Sequence, residues 1–123
     1  MQPNDPKRSD GKAIVVEAVS AFDKGAFVTK NRGIDVTWYG FACADAQSGD
    51  QVAIDVSMSE FELVIPAGLT ANVGDLLYVV HATGVITDTD PDDGSVTRFL
   101  KVTVAKDSNN VVWGIQLPQY FTW

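Results

Sequence analysis

The chain has 123 residues and a net charge of −7, with nine Lys and Arg set among sixteen Asp and Glu. That balance denies it the basic patch a nucleic-acid binder uses to displace counterions, and it disfavours anionic membrane surfaces. The length fits one domain that buries about two-thirds of its unfolded surface, and the single cysteine, Cys43, excludes an internal disulfide.

Residues Met1–Gly11 carry two prolines, mixed charges and no apolar residue beyond Met1, so they cannot bury enough surface to order themselves. Composition leaves two outcomes, a frayed end or an arm that orders against a partner. The polar start shows no signal peptide, and no run approaches the roughly 20 apolar residues of a membrane helix, so synthesis in a cytoplasm is expected.

Ala13–Ala21 is a β-branched run that looks apolar on both faces, and Gly25–Thr29 is a short second strand candidate. After the turn Asn31-Arg32-Gly33, the segment Ile34–Ala42 is expected to be one strand, with Ile34, Val36 and Trp38 on one face and Asp35, Thr37 and Tyr39 on the other. Cys43, between apolar and small residues, is expected to be buried. Gln51–Ser57 alternates Val52, Ile54 and Val56 against polar or small positions, and Phe61, Leu63 and Ile65 share a face of the next strand until Pro66 ends it. Leu76–Val80 follows, and Gly84–Thr87 has room for a short strand. Gly49-Asp50 and Gly74-Asp75 each lead into a strand, the chemistry of tight reversals between consecutive antiparallel strands.

Asp88–Ser95 reads as an acidic exposed loop. Val96–Val104 alternates Val96, Arg98, Leu100, Val102 and Val104 against Thr97, Phe99, Lys101 and Thr103, and it is expected to pair antiparallel with Val111–Leu117 through the Asp107–Asn110 turn. No segment of ten or more residues has helical periodicity. The expectation is an all-β domain over residues 12–117, a small β-sandwich or partly closed β-barrel of about nine short strands. Residues 118–123 follow as an aromatic tail, and Tyr120, Phe121 and Trp123 either fold back on the domain or sit in an oligomer or partner contact.

Chemistry is sparse. His81 is the single histidine and no nucleophile-elbow pattern surrounds any serine, so a structural His81 is far preferred to one acting with Cys43. No phosphate-cradling glycine loop occurs, and one Cys with one His is too few for zinc. Asp88-x-Asp90-x-Asp92 spaces three carboxylates as a calcium loop does, but Asp93 and Phe99 stand where such a loop needs glycine and a bidentate glutamate, so an acidic loop tip is preferred. Glu60 and Glu62 lie on one strand face and are expected to meet solvent instead of forming a glycosidase pair. Trp38, Tyr39 and Trp113 are candidates for a sugar-stacking platform, with core or interface packing the commoner fate of such rings. No enzyme activity and no cofactor are expected.

With these landmarks in place, the chain resembles the small cement, or decoration, proteins of phage capsids, long filed as a domain of unknown function in phage and prophage head modules. The matching residues are Gly40-Phe41-Ala42, Asp45-Ala46, Gly49-Asp50-Gln51-Val52, Phe61-Glu62-Leu63 with Pro66, and Gly74-Asp75-Leu76-Leu77-Tyr78. Val111–Leu117 looks like the closing strand, and the resemblance spans residues 12–117. Met58-Ser59 and Val64-Ile65, which lengthen the central hairpin, depart from the pattern, as do the Asp-rich loop and the aromatic tail.

The resemblance implies a virion structural protein on the outer capsid surface, bridging subunits of the major capsid protein, often as a homotrimer. It makes the arm a capsid-binding strap, carried by Pro3, Asn4, Asp5, Pro6, Lys7 and Arg8. The rival reading is a carbohydrate-binding or host-adhesion module of a phage particle that uses Trp38, Tyr39 or the Tyr120–Trp123 aromatics.

Overall fold

The structure, a computed structural model, describes residues 12–119. Ten strands form two five-stranded sheets. The first contains β1 (Ala13–Glu17), β2 (Phe27–Lys30), β3 (Gly33–Ile34), β4 (Tyr39–Ala42) and β5 (Gln51–Asp55), in the order β1-β5-β4-β2-β3. The second contains β6 (Glu60–Val64), β7 (Leu76–Val80), β8 (Ile86–Thr87), β9 (Val96–Val104) and β10 (Val111–Gln116), in the order β6-β10-β9-β7-β8. Pairing is antiparallel throughout except between β2 and β3.

The first sheet curls until its two edges touch. An isolated bridge joins Ala18 to Ile34, and the Val19 N–H donates to the Gly33 carbonyl at 2.8 Å. The concave side holds Val16, Ala18, Val28, Ile34, Ala46, Val52 and Ile54 as one buried cluster. The convex side carries Phe27, Tyr39 and Phe41 into a second cluster against the inner face of the other sheet, with Leu63, Leu77, Val79, Phe99, Leu100, Val102 and Val112. Both architectures expected for the chain are therefore present, a partly closed barrel packed as one layer of a sandwich. Aromatic stacking ties the layers, Phe27 on Phe99 with centroids 4.4 Å apart and Phe41 on Phe61 at 4.1 Å.

Burial of both faces of the first sheet explains where simple alternation fails. Ile34–Ala42 is not one strand. It breaks over Asp35–Trp38, where the Trp38 N–H closes onto the Val36 carbonyl at 2.7 Å. Ile34 lines the barrel, Tyr39 enters the inter-sheet core, and Val36 and Trp38 are exposed. Val15 on β1 is also exposed, so that strand is not apolar on two covered faces, and it ends at Glu17. Phe99, assigned by alternation to the polar face of β9, is fully buried. Leu77 pairs with Leu100 but Tyr78 with Arg98, so β9 carries an extra residue there, a β-bulge that turns Phe99 inward beside Leu100. Cys43 is exposed because β4 ends at Ala42 and the next side chain lies past the covered strip.

The central hairpin does not form. β5 and β6 belong to different sheets, and Val56–Ser59 is a crossover between layers. The Asp55 carboxylate accepts from the Ser57 N–H at 2.9 Å and hydroxyl at 2.6 Å, which turns the chain out of β5. The buried Gln116 amide then donates to the carbonyls of Asp55 and Ser57 at 3.0 and 2.9 Å, taking the place of a lost ladder partner. The two Gly-Asp steps share one build. Asp50 Oδ2 accepts the Gln47 N–H at 2.8 Å and Asp75 Oδ2 the Asn72 N–H at 2.9 Å, while Gly49 and Gly74 take φ of 94° and 91°, the sign a type II turn needs at its third residue.

Two stability predictions follow from this packing. A Cβ on Gly114 would lie 2.6 Å from Leu100 Cγ and 2.7 Å from the Lys101 carbonyl oxygen, so Gly114→Ala is expected to cost about 2–3 kcal/mol in urea unfolding. The Tyr39 phenol is nearly fully buried, donates to the Leu117 carbonyl at 2.9 Å and has its pKa pushed up to about 12, mainly by burial and against the opposing pull of Arg98. The unfolded chain therefore releases this proton first. Stability is unaffected by the group below pH 10 and falls between about pH 10 and 12, by up to about 2 kcal/mol. Tyr39→Phe should lose about 1 kcal/mol at pH 7, and the gap between variant and parent should close and then reverse as the pH rises through that window.

Candidate contact surfaces

The residues singled out for binding, Pro3, Asn4, Asp5, Pro6, Lys7, Arg8, Tyr120, Phe121 and Trp123, lie outside the described residues. The structure does show where the domain hands over to each end. At one, the Lys12 carbonyl accepts the Val56 N–H at 2.9 Å, so the N-terminal residues join beside the β5–β6 crossover. At the other, the Gln119 side chain clamps the backbone of Tyr39. Its Oε1 accepts the Tyr39 N–H at 2.9 Å and its Nε2 donates to the Tyr39 carbonyl. A primary amide carries one acceptor and two donors, so it can stand in for a neighbouring strand where β5 has already ended.

The polar groups that suggested chemistry are held by local partners. His81 Nε2 lies 2.6 Å from Thr97 Oγ1, its N–H donates to the Ser95 carbonyl, and its own carbonyl accepts from Asn31 Nδ2 at 2.8 Å. Cys43 Sγ faces the Phe41 carbonyl oxygen at 3.9 Å, and burial of its surroundings together with nearby Asp55 pushes the thiol pKa up, away from the thiolate a nucleophile needs. In the acidic loop, Asp88 accepts from the Thr70 N–H at 2.7 Å and the Thr89 hydroxyl at 2.9 Å, which hold its carboxyl below the ordinary range. Asp90 and Asp93 accept from the N–H groups of Asp92 and Ser95. These carboxylates are spent on shaping the loop, and no three His, Cys, Asp or Glu converge on a metal position among the described residues.

Glu60 and Glu62 do face solvent. The aromatic platform is not assembled: Tyr39 is 2% exposed in the core, Trp38 follows the break in the first sheet, and Trp113 stands on β10 of the second. Trp113 has a different setting. Val104 lies directly across from it on β9, Glu62 lies across on β6, and Val64 sits opposite Val111 one step along. Val64, Val104 and Trp113 are exposed, forming an apolar strip on the outer face of the second sheet. Alternation along β10 separates Trp113 from buried Val112 and Gly114, so this signal was open to sequence reading once the core face was known.

Concave regions mark the surface among the described residues. A groove of about 540 Å³ separates the 20–28 segment from β6, and its walls include Phe22, Lys24, Ala26, Arg32, Glu62 and Val64. A hollow of about 320 Å³ is lined by Tyr78, His81, Asp90, Thr97 and Arg98, and a third of about 520 Å³ by Thr70, Asp75, Leu76, Asp88 and Thr89.

No family model and no curated protein matches the chain. Among solved structures, the chain is similar to the head fiber gp8.5 N base of bacteriophage phi29, with a TM-score of 0.50 and 16% sequence identity, over 85% of this chain and 92% of that one. At that identity the likeness is one of fold, and it extends over nearly the whole of both chains.

Proposed function

We propose that the chain is a structural protein of a phage virion, a cement or decoration protein bound to the outside of the head, where it bridges subunits of the major capsid protein. The observation that carries this reading is the fold shared with the N base of a phage head fiber. The acidic surface, the absence of an assembled catalytic constellation among the described residues and the cement-like landmarks of the sequence support it.

In this reading the rigid two-layer body presents its ends for contact. Eleven residues ahead of Lys12 span up to about 35–40 Å when extended, enough to cross onto a neighbouring subunit. Pro3 through Arg8 act as the strap, and Tyr120, Phe121 and Trp123 contribute an aromatic contact to the capsid or to a trimer. The chain performs no chemistry and needs no cofactor. A second reading, a glycan-binding module of the particle, draws on the exposed Trp38 and Trp113, but Trp38 lies in the break between β3 and β4 while Trp113 stands on β10 of the other sheet.

Mixing the protein with emptied, undecorated heads of its own phage should give saturable binding and raise their resistance to heat. No saturable binding, or clear hits on a glycan array instead, would overturn the capsid reading. Deleting residues 1–11 should weaken head binding at least tenfold while leaving the melting temperature unchanged. Light scattering of the decorating species at about three times 13.3 kDa is the outcome expected for the trimer.

A further inference from the structure

β6 is the last strand of its sheet, and its outer edge is bare among the described residues. The Ile65 N–H donates to the Asn110 carbonyl and the Gln116 N–H to the Ser59 carbonyl, so odd-numbered positions of this strand turn their peptide groups toward β10. By alternation, the N–H and C=O groups of Glu60, Glu62 and Val64 point the other way. No backbone partner meets them among the described residues. A row of unpaired strand groups is a template for another strand unless it is blocked. Here there is no proline between Glu60 and Val64, no bulge in the β6–β10 pairing, and the groove of about 540 Å³ lies alongside.

We propose that this edge accepts an extended strand from another protein, with basic side chains at alternate positions and small apolar side chains between them. The side chains of the bare edge specify this. Glu60 and Glu62 stand on the solvent face, where a strand added beside them places every second residue, and opposite charges across a strand pair are favourable. The intervening residues of the guest fall on the groove side, where Lys24 and Arg32 line the wall beside Phe22, Ala26 and Leu63, so basic side chains are disfavoured there and small apolar ones fit. Glu62 makes no hydrogen bond or ion pair among the described residues, and its neighbour across the sheet is Trp113. Its charge is available to a guest.

The same charges exclude a second copy of this chain. Antiparallel pairing of β6 with β6 of a twofold-related copy sets Glu62 against Glu62, or Glu60 against Glu62. The shifts that set Glu62 or Val64 against Val64 bring Pro66, which has no N–H, opposite Glu60 or Glu62, and the shift that sets Glu60 against Glu60 again pairs like charges. The guest is therefore a heterologous, basic strand. This inference rests on the edge and groove alone and is independent of the capsid reading.

The test uses the full chain and two labelled peptides of identical composition, Lys-Val-Lys-Val-Lys-Val and Lys-Lys-Lys-Val-Val-Val. The alternating peptide should bind at least tenfold more tightly by fluorescence anisotropy at physiological salt, and amide exchange at Glu62 and Val64 should slow in the complex. Glu62→Pro removes an outward N–H without touching the β10 ladder and should weaken binding about tenfold, and Glu62→Gln should weaken it several-fold. If the proline variant melts early, the glutamine variant and the exchange data decide. Equal binding of the two peptides, or unchanged binding by Glu62→Gln with no slowing at Glu62 and Val64, overturns the proposal. Protection of those amides in the free chain that disappears on deleting residues 1–11 also overturns it, since the edge would then belong to the chain's own arm.

Discussion

Phe27 and Val28 are consecutive residues of one short strand, and both are buried, one in the core between the layers and the other inside the curl of the first sheet. That two-sided burial is the constraint on which the architecture depends. A flat sheet covered on one side needs apolar residues at every second position only. A sheet that curls over its own cluster and packs a second layer on its back needs them at both parities, which Phe27 and Val28 supply on β2 and Tyr39, Phe41 and Ala42 on β4. The second sheet answers from one face, and where its alternation would misplace an aromatic ring, the β9 bulge restores the stack of Phe99 on Phe27. A buried aromatic side chain contributes about 1.5–3 kcal/mol, more than a local ladder irregularity costs, so packing decides the backbone path.

Two glutamine side chains splice the layers. Gln116 reaches from β10 to the carbonyls that leave β5, and Gln119 closes on both peptide groups of Tyr39 after the last strand has ended. Backbone groups buried without a partner cost about 1–3 kcal/mol each, and the amides offset that cost at the places where ladders run out. The exchange is incomplete: Gln116 Oε1 and Thr29 Oγ1 are buried without a hydrogen-bond partner among the described residues. Of the two ends of the described chain, Lys12 pairs with Val56 and Gln119 with Tyr39.

The surface divides along the same lines. The first sheet spends both faces of β2 and β4 on packing, while β1 and β5 leave their outer side exposed or half-buried. The second sheet spends one face, and its outer side retains Val64, Val104 and Trp113 together with the bare edge of β6.

Composition, turn chemistry and strand alternation were enough to read an all-β domain with strands near their observed positions. Leu76–Val80 and Val96–Val104 stand as expected, and the Gly-Asp turns fold by the chemistry their residues imply, because a turn is built from contacts within four residues. The β9–β10 pairing and the facing of β5 were legible too, but most other partnerships, and the facing of residues wanted by two cores, were not. The same four-residue link from Asp55 to Glu60 serves a hairpin or a crossover between sheets, and in the crossover its carbonyls are held by Gln116, about sixty positions away. Ile34–Ala42 alternates cleanly, yet it breaks because Ile34 and Tyr39 are wanted by different cores. Local pattern reports that a residue is apolar. Only the folded chain decides which of two cores receives it, since that depends on layers brought together from distant parts of the sequence.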